Sequence, residues 1–175
     1  MAAVAEILSR LERTPAAAAH ALAGRDGEAL ARRPEPQSWS SIEILCHLRD
    51  VEELFQLRFH TILALDEPVI LAFSATPEDL RAWRIAGAIG HPFDPDRWAV
   101  ERQYGRCDPH EALAAWRPRR EEVVTLLSGL SGKEWERGGI HPSRGRRPLL
   151  EWVESLAAHD DNHLAQLRRA VDGRA

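Results

Sequence analysis

The chain has 175 residues and a formal net charge of −4, with Lys133 as its one lysine. This length predicts a single domain over residues 1–175 with a substantial core. The acidic balance argues against nucleic-acid binding, and no uncharged run approaches the roughly 18 residues of a membrane span. The N-terminal segment carries charges, unlike a signal peptide, and the two cysteines are too few for a disulfide framework. We therefore expect a cytoplasmic protein.

Two helices are predicted in the first third of the chain. The first covers about 2–22, with a break at Arg13–Thr14 because Thr14 and Pro15 can cap and restart a helix. The second covers about 41–65 and opens with serine caps and Glu43; Trp39, just before the cap, resembles a hydrophobic staple. Its apolar positions recur at steps of three and four. They are Ile44, Leu48, Val51, Phe55, Phe59 and Ile62.

Two more helices are predicted in the second half. The third covers about 109–127, with Asp108 as its cap. The fourth covers about 148–171, with Pro148 in its first turn and Gly173 just beyond its end. The segment SGKEWERGGIHPSRGRR between them is predicted to be a loop.

A long connection, from Asp66 to Cys107, separates the second and third helices. Within it, TPEDLRAW predicts a short helix from Thr76, and only EPVILAF suggests a strand. The elements together predict an all-α fold, a four-helix bundle with a long crossover connection between helices two and three.

The fourth helix places two histidines in the stripe that should form its core. The stripe consists of Trp152, Leu156, His159, His163, Leu167 and Ala170. Residues at i and i+4 have Cβ atoms about 5–6 Å apart on one helix face. An imidazole left unpaired in a core costs about 1–3 kcal/mol. Two satisfied core histidines are one interpretation, and a metal site is the other.

A catalytic metal site commonly has three protein ligands and an open position. His47, early in the second helix, is the best candidate for the third ligand. Glu43 at i−4 and Asp50 at i+3 lie on its face, where either can accept its second ring N–H or act as a base. A histidine in a helical ion-pair cluster is the alternative interpretation.

Other residues are weaker candidates for the site. His60 lies well over half a turn from His47 around the helix, and Cys46, about 100° away, is predicted to be a small buried hydrophobe. Asp160 lies about 100° from His159, which makes it a poor base. His141 is predicted to be structural or exposed, with substrate binding as its alternative role, and Arg58 is a second candidate substrate contact.

Two segments, PQSWSSIEILCHLRDVE and EWERGGIHPSRGRRPLLEWVESLAAHDDNHLAQLRR, resemble the DinB-like superfamily. That superfamily includes YfiT-type metal-dependent hydrolases and bacillithiol- or mycothiol-dependent S-transferases. The resemblance covers essentially the whole chain and implies a four-helix bundle, often a homodimer. It also implies a divalent metal, zinc or nickel with iron as a further candidate, bound by His47, His159 and His163.

Two functions are compatible with this resemblance. The first is a metal-dependent enzyme, either a hydrolase or a thiol S-transferase that takes a low-molecular-weight thiol and a small-molecule substrate. The second is a non-catalytic metal-binding bundle that acts as a dimer, in which His141 or an acidic residue of the long connection closes the site as a fourth ligand. A helical domain without metal is the least favoured interpretation.

Overall fold

The computed structural model describes residues 2–70, 94–141 and 144–175. Four long helices dominate this part of the chain. They are α1 (Ala2–Leu22), α3 (Ser41–Ala64), α5 (Pro109–Ser128) and α7 (Leu149–Val171). The shorter elements are the helices α2 (Gly27–Ala31), α4 (Pro95–Glu101) and α6 (Gly132–Glu136), a 3₁₀ turn at Tyr104–Arg106, and the strands β1 (Gly138–His141) and β2 (Gly145–Pro148). None of the described helices combines the length and apolarity needed to cross a bilayer.

The four long helices form the predicted bundle. α1 packs against α5 and α7, and α3 packs against the same two helices. The order around the bundle is therefore α1, α5, α3, α7, so that successive long helices α1 and α3 lie across the bundle from each other. α3 and α7 are neighbours, and this adjacency brings their histidines together.

Local capping sets the ends of these helices much as the sequence predicts. Ser40 and Glu43 form a capping box at the start of α3, in which each side chain accepts a hydrogen bond from the other residue's backbone N–H. The Asp108 carboxylate accepts from two backbone N–H groups at the start of α5. Pro148 is the N-cap of α7 in extended conformation, and not in the first helical turn as predicted. Gly173 follows α7 at φ +72°, a left-handed conformation that favours glycine.

The predicted break at Arg13–Thr14 is wrong, because α1 runs through Pro15 without interruption. Pro15 has no N–H to donate to the carbonyl of Leu11, four residues earlier. Arg120 of α5 supplies the missing donor, with Nη1 2.8 Å from the Leu11 oxygen. A tertiary hydrogen bond thus satisfies the carbonyl that the proline leaves exposed.

The core consists of two apolar clusters, one toward each end of the bundle. One includes Leu22, Ile44, Leu45, Trp116 and Leu167. The other includes Leu11, Phe55, Phe59, Leu127 and Leu156. Between them lie four buried polar side chains, His47, Glu52, Arg120 and Asp160, which we call the central polar layer. The candidate site includes His47 of this layer.

The segment between α5 and α7 differs from the predicted loop. It contains α6 and an antiparallel hairpin in which Ile140 pairs with Arg146. Pro68 and Ile70 extend the hairpin, since the Ile140 N–H donates to the Pro68 carbonyl and the Ile70 N–H donates to the Ile140 carbonyl. The suggestion of a strand in EPVILAF is therefore met at Val69, which forms a parallel bridge with Ile140.

Residues 94–107 of the long connection contain a helix and a 3₁₀ turn that the sequence analysis did not predict. Asp94 caps α4, and the 3₁₀ turn follows it, with Tyr104 fully buried against α3. The helix predicted from Thr76 lies outside the described residues.

Candidate metal centre

Three histidines from two helices meet at the central polar layer. His47 comes from α3, and His159 and His163 come from successive turns of α7. One ring nitrogen of each lies within 4.8 Å of the others, and Nε2 of His47 is 3.0 Å from Nε2 of His159. Among residues 2–70, 94–141 and 144–175, no fourth histidine, cysteine or acidic side chain joins this group. The structure thus brings together the three residues that the sequence analysis selected.

Helical periodicity explains this convergence. His159 and His163 continue the stripe of Trp152 and Leu156, and both rings point toward α3, with ring centroids 4.4 Å apart. His47 follows the apolar residues of the first turn of α3 and is 4 % exposed. The His159 side chain is 19 % exposed, so the group is reachable from solvent on the α7 side.

Trp39 covers one side of the histidine group. Its ring meets that of His47 edge to face, with centroids 4.9 Å apart, and stacks over His163 at 6.4 Å. Its indole N–H donates to Asp96 Oδ1 at 3.0 Å, which ties this residue to α4. The predicted staple residue packs against the core cluster that contains Ile44 and also contacts two of the three histidines.

Burial keeps two of the three rings uncharged. It lowers the pKa of His47 to about 2, with a further contribution from the neighbouring His163 and His159 rings. It also lowers the pKa of His163 to about 4, where repulsion from His159 adds to burial and the contacts with Gln166 and Asp160 oppose it. Both imidazoles are therefore neutral at pH 7, the form that binds a metal ion.

Two side chains of α7 place hydrogen-bond acceptors next to Nδ1 of His159 and Nδ1 of His163. Nδ1 of His163 is 2.8 Å from Gln166 Oε1, and Nδ1 of His159 is 3.3 Å from Asp160 Oδ1. In each ring an Nδ1–H donated to these oxygens leaves the Nε2 lone pair free. Sequence reasoning missed Gln166, although its i+3 spacing from His163 was a usable signal.

Asp160 also belongs to a buried ionic network. Its Oδ2 lies 2.7 Å from Nη2 of Arg120, in an ion pair without the alignment of a hydrogen bond. Arg120 Nε donates to Glu52 Oε1 at 2.9 Å, and Trp116 donates to Glu52 Oε2 at 3.1 Å. Asp160 therefore connects His159 to a guanidinium on α5.

The two carboxylates predicted to support His47 are engaged by other partners. Asp50 accepts hydrogen bonds from Arg49, Arg102 and Tyr104, at 2.7, 2.7 and 2.8 Å. Glu43 accepts from Nε of Arg33 at 2.9 Å and from the Ser40 backbone. A role for either carboxylate toward His47 or as a base stays a prediction.

The two predicted substrate contacts lie beside Trp152, about two turns of α7 before His159. His141 is 7 % exposed in β1, with its ring centroid 5.8 Å from that of Trp152, so it is buried and not exposed. The Arg58 guanidinium lies over Phe55 and Trp152, and burial lowers its pKa to about 10. Their binding roles stay predictions.

The remaining weak candidates are separate from the histidine group. His60 is exposed, while Cys46 is fully buried in an apolar cluster and has a free thiol. Burial raises the pKa of that thiol, which makes it a poor nucleophile.

The donor set fits a divalent transition metal. Zinc binds histidine nitrogen at about 2.0–2.1 Å, which places two tetrahedral ligand nitrogens about 3.3 Å apart. The 3.0 Å between Nε2 of His47 and Nε2 of His159 needs only a small adjustment to reach this spacing.

Comparison with known proteins agrees with this architecture. A sequence model of the DinB superfamily matches residues 10–167. The chain belongs to the DinB superfamily. A DinB-like protein of known structure, YfiT from Bacillus subtilis, superimposes with a TM-score of 0.78 at 19 % identity, over 98 % of this chain and 89 % of that one. YfiT is described as "a probable metal-dependent hydrolase with an unusual four-helix bundle topology". A comparison with curated protein sequences gives no match.

Proposed function

We propose that this DinB-superfamily chain is a metal-dependent hydrolase of small molecules that holds one divalent cation with His47, His159 and His163. The observation that carries the proposal is the convergence of these imidazoles within 4.8 Å, without a fourth protein ligand among the described residues. The description of YfiT as a "probable metal-dependent hydrolase" supports the same reaction class.

Three imidazole ligands bring no negative charge, so they leave a bound cation with its full charge and an accessible position. When bound there, a divalent cation supplies Lewis-acid chemistry, polarising a substrate oxygen and lowering the pKa of a water or a thiol. The chain's own residues prepare the position. Burial holds His47 and His163 neutral, Gln166 accepts the Nδ1–H of His163, and Trp39 shields one side from water.

The first test is the metal content of protein purified without a histidine tag. We expect about one zinc or nickel ion per chain, since histidine ligands suit both. His159→Ala and His163→Ala should lower the content to near zero while circular dichroism still reports a helical fold. Cys46→Ser is the matched control and should retain the metal, because its thiol lies outside the group. Full metal in both histidine variants would refute the site.

The second test separates the two reactions that the site can support. The metal-loaded protein is assayed with activated esters and amides in ¹⁸O-labelled water, with and without a low-molecular-weight thiol. Hydrolysis places ¹⁸O in the acid product, whereas S-transfer requires the thiol and forms a sulfur-linked product. A metal-loaded protein inactive in both assays would favour the non-catalytic bundle.

The oligomeric state is a further proposal. We propose a homodimer, as the resemblance to the superfamily implies. Light scattering of the metal-loaded and metal-free protein tests this, and a monomer in both forms would contradict it.

A further inference from the structure

We propose that Asp160 is a positioning residue for the metal centre: its carboxylate accepts the Nδ1–H of His159 and so presents Nε2 of that ring to the cation. This inference rests on the metal site proposed above and assigns a role to a residue that helical geometry alone placed off the face of the histidines. Asp160 and His159 are adjacent in sequence, yet Asp160 Oδ1 lies 3.3 Å from Nδ1 of His159.

The first support is the position of the two nitrogens of His159. Nε2 is the atom that meets His47, at 3.0 Å, and Nδ1 is the atom that meets Asp160. A ring that donates Nδ1–H to a carboxylate has its lone pair on Nε2, and such outer partners fix the orientation and basicity of a metal-binding histidine. The geometry therefore matches the tautomer that the site needs.

The second support is the way in which Asp160 itself is held. Its side chain is 2 % exposed, and Arg120 of α5 contacts Oδ2 while Oδ1 is left toward His159. Arg120 is in turn fixed by Glu52 and the Leu11 carbonyl. This contact from a neighbouring helix holds the Asp160 carboxylate with Oδ2 toward Arg120 and Oδ1 beside the imidazole of His159.

The test measures zinc affinity by competition with a chromophoric chelator. Asp160→Asn keeps an acceptor but removes the charge, and Asp160→Ala removes both. Loss of an outer partner typically costs about 10- to 100-fold in metal affinity. We expect a loss in this range for Asp160→Asn and a larger loss for Asp160→Ala. If Asp160→Ala does not fold, Asp160→Asn alone decides the outcome.

Two control variants separate positioning from stability. Asp161→Asn removes the same charge from the next residue of α7, whose carboxylate forms an exposed pair with Arg10. Glu52→Gln removes a charge from the same buried network on the far side of Arg120. Asp161→Asn should bind zinc like the wild type, and Glu52→Gln should lower the unfolding midpoint of the metal-free protein but weaken zinc binding far less than Asp160→Asn. Equal losses of affinity in Glu52→Gln and Asp160→Asn would overturn the proposal.

A spectroscopic readout tests the tautomer directly. In zinc-loaded wild type, long-range ¹H–¹⁵N spectra should show His159 with protonated Nδ1 and coordinated Nε2. In the cobalt-substituted protein, the d–d absorption should shift in Asp160→Asn and stay unchanged in Asp161→Asn. Coordination of His159 through Nδ1 would overturn the role of Asp160 while leaving the three-histidine site intact. Failure of wild type to bind zinc, nickel or cobalt would instead remove the proposed function itself.

Discussion

Arg120 places a guanidinium at the centre of the bundle, where it is 2 % exposed and contacts Glu52, Asp160 and the Leu11 carbonyl. Arg120→Met should keep the volume but leave two buried carboxylates without their cation. Breaking a buried pair in this way costs about 3–5 kcal/mol. Urea denaturation measures the change in the free energy of unfolding.

Arg119 provides the matched control for this prediction. It is the preceding residue on α5, and its ion partner Glu53 is 44 % exposed at the side chain. Arg119→Met should change stability by only about 0–1 kcal/mol, the usual range for surface pairs. Similar losses in both variants would show that the central ionic network contributes nothing beyond an ordinary surface pair.

Residues of the site were predictable from sequence where a single helix carries the information. His159 and His163 lie on the apolar stripe of their own helix, and the stripe indicates which way they point. The role of Asp160 was not predictable, because its contact with Arg120 depends on how α5 is placed against α7. Asp160 and His159 are separated by about 100° around their helix. That angle alone did not predict that the Asp160 carboxylate contacts both His159 and Arg120 of α5.

At the scale of elements, helix ends followed from local chemistry, whereas the hairpin did not. Ser40 and Asp108 cap α3 and α5 through hydrogen bonds to residues two or three positions away, which a sequence displays directly. β1 and β2 are rich in glycine and arginine, and Ile140 is the one β-branched residue in the two strands. Their pairing is completed by Pro68 and Ile70, about 70 residues earlier, and such distant partners leave no local signal.

The hairpin packs so closely that a side chain at Gly139 would overlap its neighbours. A Cβ at Gly139 would lie 2.5 Å from Cγ1 of Ile70 and 3.2 Å from Cγ1 of Ile62, both buried side chains. Gly139→Ala should therefore destabilise the fold by about 1–3 kcal/mol, the usual cost of overpacking. Gly27→Ala, where a Cβ meets nothing within 4 Å, is the control and should be neutral or slightly stabilising in the same thermal melts.

Asp50 joins α3 to the segment around the 3₁₀ turn and makes that junction sensitive to acid. Burial alone would raise the pKa of this carboxyl, but hydrogen bonds from Arg49, Tyr104 and Arg102 outweigh it and hold the pKa below its ordinary value. The stabilisation is fully present above the unfolded pKa of about 3.9 and is lost as the pH falls through the lower folded value.

Comparison with Asp50→Asn tests this pH dependence. The wild type should exceed the variant in the free energy of unfolding by a constant amount above about pH 5, and the difference should shrink below about pH 4. Urea titrations across this range measure it. A difference that does not change with pH would mean that ionisation of Asp50 contributes nothing to the free energy of unfolding.

At the scale of the whole molecule, the sequence predicted the number of long helices but not their order around the bundle. Each hydrophobic stripe specifies a buried face, and it does not specify which helix covers that face. The placement of α3 and α7 as neighbours joins His47 to His159 and His163 across 112 and 116 positions of the sequence, and no periodicity within one helix encodes that juxtaposition. The prediction that these three histidines share one site came instead from the resemblance of the two histidine-bearing motifs to a known family.

This adjacency makes metal binding at the proposed site a property of the entire bundle. A cation held there by His47 of α3 and by His159 and His163 of α7 would bridge two helices that meet only in the folded state, and its binding would therefore stabilise folding. At a free zinc concentration of about 100 times the dissociation constant, zinc binding increases the free energy of unfolding by about 2.7 kcal/mol. For a chain of this size each kcal/mol raises the melting temperature by about 2–4 °C, and we therefore expect zinc to raise the Tm of the wild type by about 5–10 °C. Differential scanning calorimetry with and without zinc should show the same increase for Cys46→Ser and none for His163→Ala. An equal increase in His163→Ala would mean that zinc binds elsewhere on the folded chain.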